Sequence, residues 1–466
     1  MKMSNFWDSD VWGFINLVAI LLLSLIVANI LKKTIKFLKK SLIPTSVLGG
    51  AMLLIFAGIY DLITKDVMFE TQFFGGKGYV YLETITYHAL ALGFIASTFK
   101  ASKGKMNKKR TTEIFNTGVT TVSTYLLQGI VGMVITIIAA LIISGFFPAA
   151  GIILPFGYGQ GTGQALNYGN IFETENGFIG GKTFGLTVAA FGFLSASIGG
   201  VIYLNIIKKK RKINLGEDEK ENITVEDVQP ANEIPMQGSM DKMTMQVAFV
   251  LVAYMLTYLF MFLLGKLLPG MKAVIYGFNF LIGVLTATLM KLVFNIFRKK
   301  NIVKKGYIND FLMTRVSNFF FDVMVVAGIA AIRLGLLQDY WGIIIILGVV
   351  GLIITYVYEY LVAKVLFPEY KDEQFLMMYG MLTGTASTGT ILLRELDGDF
   401  KTPAADNMVY QNFPAIVFGF PLMLIATMAP VKPILTLIIL AVFFIVMNVI
   451  LFRSFIFRRK GRSRKK

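Results

Sequence analysis

This chain of 466 residues contains no cysteine and a single histidine, His88. The lack of cysteine excludes disulfides, thiolate metal sites and cysteine nucleophiles. One histidine cannot form a histidine-based metal site, and the sequence has no Gly-x-Ser-x-Gly nucleophile elbow. We therefore predict no catalytic residues, no resident cofactor and no enzymatic activity.

Charged residues are also scarce, at 16% of the chain against about 25% in an average soluble domain. Hydrophobic residues make up 55% and form many runs close to the roughly 20 apolar residues that a membrane-spanning helix needs. The sequence thus predicts an all-α polytopic membrane protein with about 11 transmembrane helices. The predicted spans lie at roughly 12–31, 46–63, 84–100, 116–145, 177–207, 245–266, 272–297, 314–337, 341–366, 405–428 and 432–457.

Much of the basic charge behind the net charge of +17 lies in clusters that follow spans one, three, five, seven and eleven. These clusters lie at 32–40, 100–110, 208–212, 298–305 and 458–466. Because Lys and Arg accumulate in cytoplasmic loops, the alternation predicts an outside N-terminus and a cytoplasmic C-terminus. The basic charge therefore indicates orientation in a membrane, and we expect lipid rather than nucleic acid as a partner.

Two segments, at about 150–170 and 375–395, are rich in glycine and in small polar residues. The basic loops keep their predicted sides only if each segment returns to the side it entered from, so both are predicted to be re-entrant hairpins, the first from outside and the second from inside. A charged cytoplasmic linker at 208–243 separates two inverted five-helix repeats, each with one hairpin. The repeats would be residues 1–207 and 244–428, and residues 429–466 would add one transmembrane helix and a basic cytoplasmic tail.

Irregular backbone is tolerated at membrane depth only inside the protein or beside a wet cavity, because each unsatisfied N–H or C=O group costs several kcal/mol in hydrocarbon. Broken helices also present free carbonyls to cations and free N–H groups to carboxylates. We therefore predict a substrate and ion site at the hairpin tips, with sodium bound by Thr162, Thr385 and backbone carbonyls. The candidate residues on the hairpins are Gly159, Gln160, Gly161, Thr162, Gly163, Gln164, Asn167, Thr383, Gly384, Thr385, Ser387 and Thr388. The alternative is that the glycines only pack helices together.

Charges inside predicted spans are candidates for function because they are costly in a membrane. Asp322 is predicted to be an ion ligand or proton carrier, or else a structural partner of a nearby donor. Arg394 is predicted to bind a substrate carboxylate, or else to pair with Glu395 or Asp397. Arg333 is expected to snorkel, and His88 to be a polar interface residue rather than a proton relay.

Three stretches resemble the bacterial sodium/glutamate symporter (ESS) family: LIPTSVLGGAMLL at 42–54, GYGQGTGQA at 157–165 and YGMLTGTASTGT at 379–390. The resemblance spans most of 12–428 and is strongest at the first hairpin. It carries Gly159, Gly161, Thr162 and Gly163 over as the first loop's tip, and Gly384 and Thr385 as the second's. The chain departs from the family at Gln160, where the family motif has histidine, and in the charged run LLRELDGDF after the second loop.

The resemblance implies sodium-coupled symport of glutamate or a related small anionic amino acid, by alternating access, in a bacterial plasma (inner) membrane. A sodium- or proton-coupled carrier of another small organic anion is the alternative, and an ion channel is a further one. A membrane sensor or scaffold is a third class, suggested only by the charged linker. Expected partners are the anionic amino acid, sodium as coupling ion and membrane lipid, with a homodimer as an open arrangement.

Overall fold

The computed structural model describes residues 5–100, 107–211, 228, 230, 233–236, 239–302, 305–338, 340–398 and 401–458. Within these ranges the regular structure is helical, and the only β pairing is one isolated bridge between Glu233 and Gly306. The predicted all-α class is therefore confirmed for the described part of the chain. Most of the predicted linker at 208–243 lies outside the described residues.

The α-helices in chain order are α1 (Ser9–Thr34), α2 (Lys36–Ser41), α3 (Thr45–Thr64), α4 (Gly78–Phe99), α5 (Lys108–Ile142), α6 (Ile153–Asn176), α7 (Gly181–Arg211), α8 (Lys242–Leu267), α9 (Lys272–Gly277), α10 (Asn279–Lys299), α11 (Asp310–Ala330), α12 (Trp341–Leu366), α13 (Lys371–Thr383), α14 (Ala386–Arg394), α15 (Ala404–Tyr410), α16 (Asn412–Met428), α17 (Pro433–Leu451) and α18 (Arg453–Arg458). Short 3₁₀ turns occur at Met68–Glu70, Gln72–Phe74, Ala150–Ile152, Pro269–Met271 and Leu334–Leu337.

Nine of the described helices are long and apolar enough to cross a bilayer, and α15 and α16 form a bent pair that also qualifies. The helix α4, which covers the third predicted span, has 22 residues but is not among the nine. Several helices also leave apolar faces exposed: on α17, Ile438, Val442 and Ile445 are 54%, 57% and 62% exposed. Water would not stabilise such faces but lipid does, so the chain is a multi-pass membrane protein.

Two predicted spans end or break at places that the apolar pattern does not reveal. The span at 272–297 breaks at Phe278 into α9 and α10. Near this break the hydroxyl of Tyr87 donates a hydrogen bond to the Tyr276 carbonyl at 2.7 Å, which occupies a carbonyl that could otherwise bond within the helix. The span at 314–337 ends as an α-helix at Ala330. Arg333 lies beyond that end with an extended backbone (φ −96°, ψ 94°), which stops the helix.

The chain divides into two compact units, and each unit takes segments from both predicted halves. Unit 1 consists of Met1–Val27, Gly49–Lys103 and Asp218–Ala331. Its described core joins α4, α8, α10 and α11 through buried apolar side chains that include Phe99, Val250, Ala287 and Met313. Two of these helices begin at side-chain caps, because Asp241 accepts from the backbone of Met243 and Asn309 from that of Leu312.

Unit 2 consists of Ala28–Leu48, Gly104–Glu217 and Ile332–Lys466, and it contains both glycine-rich segments. One core cluster joins α7, α12, α13 and α14 through Tyr203, Ala363, Phe375, Tyr379 and Leu392. The ring of Phe375 stacks on that of Tyr379, with centroids 5.5 Å apart. The Phe375 ring also packs on the ring of Tyr203 on α7, with centroids 4.2 Å apart, so aromatic packing holds α13 against a long helix and helps to position the second glycine-rich segment.

Candidate functional site

The first glycine-rich segment forms α6, whose backbone is broken at Gly161. Gly161 has φ 76° and ψ −167°, a region that is essentially restricted to glycine. The break separates a first arm, residues 153–160, from a second arm, residues 162–176. The ring of Phe156 in the first arm stacks on that of Tyr168 in the second, with centroids 3.7 Å apart. A continuous helix would separate these residues by about 18 Å, so the chain folds back at Gly161.

Contacts with neighbouring helices show the direction of each arm. The first arm runs antiparallel to α5, since Gly151, just before the arm, lies against Gly132 and the Tyr125 hydroxyl donates to the Gly159 carbonyl at 3.1 Å. The second arm runs antiparallel to α7, where Gly169 lies against Gly181 at a backbone approach that no Cβ would allow. We call residues 153–176 the first hairpin and residues 160–162 its tip.

The second glycine-rich segment also folds back on itself. The helix α13 ends at Thr383, Gly384 and Thr385 adopt non-helical backbone, and α14 starts at Ala386. A Cβ built on Gly380 would lie 2.8 Å from the Cα of Gly389, so the two helices touch through their backbones. The Thr385 side chain accepts from the backbone N–H of Thr388 and caps α14. We call residues 371–394 the second hairpin and residues 384–385 its tip.

The two tips meet inside unit 2. A Cβ built on Gly161 would lie 3.3 Å from Cγ2 of Thr385 and 3.9 Å from the carbonyl oxygen of Gly384. A Cβ built on Gly192 of α7 would lie 2.5 Å from the Thr383 carbonyl oxygen, so α7 contacts the second hairpin directly beside its tip. The structure therefore brings Gly161 into contact with Gly384 and Thr385, which lie more than 200 positions away in the sequence.

Helix ends of both polarities converge at the tips. The first arm and α13 end there with the carbonyl ends of their helices, whereas the second arm and α14 begin there with their N–H ends. Carbonyl ends attract cations and N–H ends attract anions. One such place can therefore hold both a monovalent cation and a carboxylate.

Buried amide groups beside the first tip have no partner among the described residues. Gln164 is 1% exposed, and both its amide nitrogen and its amide oxygen are buried without a hydrogen bond; the same holds for Nε2 of Gln160. An unsatisfied buried polar group costs about 1–3 kcal/mol, so most are paired in folded proteins. Three such atoms next to one tip indicate a place that a polar ligand would complete.

The other predicted hairpin residues lie close to the tips in sequence and are mostly buried. Gly159, Gly163, Thr162, Asn167, Thr383 and Thr388 are buried, and Ser387 is half-buried. Thr162 and Thr383 are fully buried, and the Thr383 hydroxyl donates to the Tyr379 carbonyl at 2.6 Å.

Two predicted site residues lie elsewhere. Asp322 is half-buried on α11 and belongs to unit 1, whereas both tips belong to unit 2. Arg394 is exposed at the last position of α14, about 12 Å along the helix from its start at the tip. The Asp397 carboxylate accepts from the backbone N–H groups of Lys401 and Thr402, each at 2.8 Å. His88 lies in unit 1 with Nδ1 2.7 Å from the Tyr254 hydroxyl, a polar contact between helices.

The sequence analysis missed Glu359, which is 1% exposed on α12. Its carboxylate accepts a hydrogen bond from the hydroxyl of Thr124 on α5 at 2.5 Å. The sequence did contain a signal, because Glu359 is a charge within the predicted span at 341–366 and meets the same criterion that selected Asp322. Its partner lies 235 positions away and carries no mark in the sequence.

Gln128 was also missed, although it connects α5 to the second hairpin. Its Nε2 donates to the Thr355 hydroxyl and to the Leu382 carbonyl, both at 2.9 Å. Leu382 directly precedes Thr383, so Gln128 holds the last turn of α13 from the side. A glutamine in an apolar run is too common a polar residue for the sequence alone to single it out.

Comparison of the chain with protein-family models and with curated proteins finds no match.

Proposed function

We propose that this protein is a secondary active transporter that couples sodium entry to uptake of glutamate or a related small anionic amino acid. The observation that carries the proposal is the meeting of two broken helical segments at Gly161 and Thr385, beside the unpaired buried amide of Gln164. The resemblance of the same segments to the sodium/glutamate symporter family gives the substrate class. The proposal includes residence in a bacterial plasma membrane.

The proposed roles follow from the polarity of the helix ends. Sodium would be held by carbonyls at the ends of the first arm and α13, together with the hydroxyls of Thr162 and Thr385. The substrate carboxylate would be held by N–H groups at the starts of the second arm and α14. The other polar groups of the substrate would be held by the amide of Gln164. A bound cation offsets the charge of an anionic substrate in a low-dielectric site, which couples binding of one to the other.

The membrane topology is part of the proposal: about 11 spans in two inverted repeats, with both hairpins re-entrant. Relative helix directions in unit 2 support it. Thr124 and Gln128 on α5 pair with Glu359 and Thr355, so α12 runs antiparallel to α5. Tyr203 of α7 donates to Asp372 and Tyr379 donates to the Ser195 carbonyl, so α13 runs antiparallel to α7. With the basic loops in the cytoplasm, the first hairpin would then enter from outside and the second from inside.

Alternating access would expose the tips first to one side and then to the other as one part of the molecule rocks against another. A carrier of another organic anion remains the alternative, and Gln160 in place of the family histidine is the reason to test several substrates. A channel is less well supported, because channel filters repeat around an axis along the pore, whereas these two tips come from opposed segments of one chain.

Replacing Thr162 or Thr385 with valine tests the site. Valine keeps the shape of threonine and removes the hydroxyl oxygen, so we expect sodium-stimulated glutamate uptake into proteoliposomes to fall at least tenfold with unchanged expression. Thr174→Val is the matched control on the same helix, since Thr174 is exposed at the far end of the second arm and, within the described ranges, its hydroxyl bonds the Asn170 carbonyl of its own helix. Near-wild-type uptake by both tip variants, or an equal loss in the control, would contradict the proposed site.

A further inference from the structure

Glu359 is a carboxyl buried in the interior of unit 2. It lies on α12 seven residues before the helix ends, and among the described residues its hydrogen-bond partner is the hydroxyl of Thr124. No described basic residue forms an ion pair with it. An isolated carboxylate in such surroundings is strongly disfavoured, and the group is stable only when a proton or another cation neutralises it.

A row of polar residues on α5 connects Glu359 to the second hairpin. We call Thr117, Thr121, Thr124 and Gln128 the polar stripe; their spacing of three or four residues puts them on one face of the helix. Gln128 lies one turn, about 6 Å, beyond Thr124 and bonds the Leu382 carbonyl next to the tip. Its amide oxygen is buried without a partner among the described residues. A change of charge at Glu359 would therefore occur one helical turn from Gln128, whose hydrogen bond to Leu382 supports the tip.

The stripe continues in the other direction towards the start of α5, beside the exposed Asp406. Thr121 donates to Oε1 of Gln411 at 2.9 Å, and Thr117 accepts from Nε2 of Gln374 at 3.2 Å. Beyond Thr117, Arg110 pairs with Glu113 at 2.8 Å and with Asp406, a residue that is 59% exposed, at 3.3 Å. Polar groups thus line α5 from Arg110, which pairs with the exposed Asp406, to Glu359.

The surrounding helices contribute few other ionisable groups. Two phenols interact electrostatically with the Glu359 carboxyl, those of Tyr125 on α5 and Tyr358 on α12 itself. The acidic residues of α13, Asp372 and Glu373, lie in its first turn, and Asp372 accepts from Tyr203 of α7 at 2.6 Å. The helix α17, which contacts Tyr358 through Asn448, has no ionisable side chain.

We propose that Glu359 is a proton-binding site coupled to transport at the hairpin tips, and that protons reach it along the polar stripe. The inference rests on the proposed transport function and adds a proton to it. Among the described residues, a single hydroxyl forms a hydrogen bond with the carboxylate, and this suits one proton better than a metal ion, which needs several oxygen ligands. Loss of the proton leaves a buried negative charge, which is stabilised when water enters the polar stripe. The deprotonated form therefore favours an arrangement of α5 and α13 that differs from that of the protonated form.

The test compares Glu359→Gln with Glu369→Gln in proteoliposomes of the full chain. Glu369 is a matched control, since its side chain is 69% exposed and pairs with Lys109 at the surface. We measure net glutamate uptake under a pH gradient, exchange of labelled glutamate at equal pH, and proton movement with a trapped pH indicator. Glu359→Gln is expected to lower the ratio of net uptake to exchange at least tenfold and to abolish substrate-driven proton movement, whereas Glu369→Gln leaves both unchanged.

Thr124→Val keeps the carboxyl and removes its hydrogen-bond donor, so it tests the site without depending on the glutamine variant. Loss of a hydrogen bond to a charged group is expected to move the pH of half-maximal uptake upward by about one unit. Normal proton movement in Glu359→Gln, an unchanged pH profile in Thr124→Val, or a loss of sodium dependence in place of pH dependence would overturn the proton site alone. If the wild-type protein exchanges no glutamate or other organic anion, the transport function and the proton site both fall.

Discussion

Gly161 has a backbone conformation that residues other than glycine rarely adopt, and the first hairpin turns at this residue. Its φ of 76° combined with ψ of −167° differs from the ordinary left-handed conformation of Gly177, which ends the same helix at φ 72° and ψ 21°. The ordinary left-handed region accepts other residues at a cost of about 1–2 kcal/mol. Residues other than glycine almost never adopt the φ and ψ values of Gly161.

Gly161→Ala is therefore expected to destabilise the protein more than Gly177→Ala. A strained residue of this kind costs on the order of 3 kcal/mol, against about 1 kcal/mol at Gly177, where a Cβ would meet no atom within 4 Å. The thermal unfolding midpoint of both variants in detergent measures the difference. An equal or smaller shift for Gly161→Ala would mean that the turn does not have this conformation.

Gln164 illustrates how a polar site differs from helix packing at the scale of a single residue. Glycines alone would explain close approach of helices, and several pairs here do pack in that way, as the sequence analysis allowed. Packing does not explain an amide that is 1% exposed and makes no hydrogen bond with the described residues. A group of this kind destabilises the free protein, so a ligand that satisfies it gains that energy on binding.

At the scale of secondary structure, the second hairpin depends on contact between the backbones of α13 and α14. A Cβ built on Gly389 would lie 2.6 Å from the Met377 carbonyl oxygen and 3.2 Å from the Met381 nitrogen. Both neighbours are backbone atoms of α13, so neither can move without displacing the helix. Gly389 therefore sets the distance between the two arms.

We expect Gly389→Ala to push α14 away from α13 and to separate Thr385 from Gly161. Substrate exchange should fall at least tenfold, and the unfolding midpoint should drop, because overpacking of this kind costs about 1–3 kcal/mol. Gly342→Ala, at the start of α12, is the control, since a Cβ there would meet no atom within 4 Å. Wild-type exchange in Gly389→Ala would show that the spacing of the arms is not critical.

The sequence predicted the helices of this fold better than their ends and contacts. Apolar runs placed the long helices, and both segments in which glycine alternates with polar residues contain a break in helical backbone. The break at Phe278 could not be predicted, because it depends on a hydroxyl from Tyr87, far away in the sequence. For the same reason Glu359 could have been noticed as a charge in an apolar run, but its bond to Thr124 could not.

At the scale of the whole molecule, the two compact units do not coincide with the two halves of the sequence. Unit 2 contains the end of α1, α2, the start of α3 and α5 to α7 from the first half, and α12 to α18 from the rest of the chain. Unit 1 contains the first part of α1, most of α3, α4 and α8 to α11. Equivalent parts of both predicted repeats thus lie in the same unit. Two inverted repeats whose corresponding segments pack together would produce units of this mixed composition. This agreement motivates a direct test of the orientation of each half.

Labelling of single cysteines tests this orientation, and the absence of native cysteine makes it possible without a background. Asp66 and Gly270 lie in exposed loops that carry few basic residues, one in each half; Thr112 and Lys300 lie beside basic clusters. Because basic loops stay in the cytoplasm, Asp66→Cys and Gly270→Cys should react with a membrane-impermeant maleimide in intact cells. Thr112→Cys and Lys300→Cys should react only after permeabilisation. Reaction of Asp66→Cys and Gly270→Cys from opposite sides of the membrane would contradict the inverted repeat. Asp66 follows the second span of its half and Gly270 follows the first span of its half, so the two loops lie on the same side only if the halves have opposite orientations.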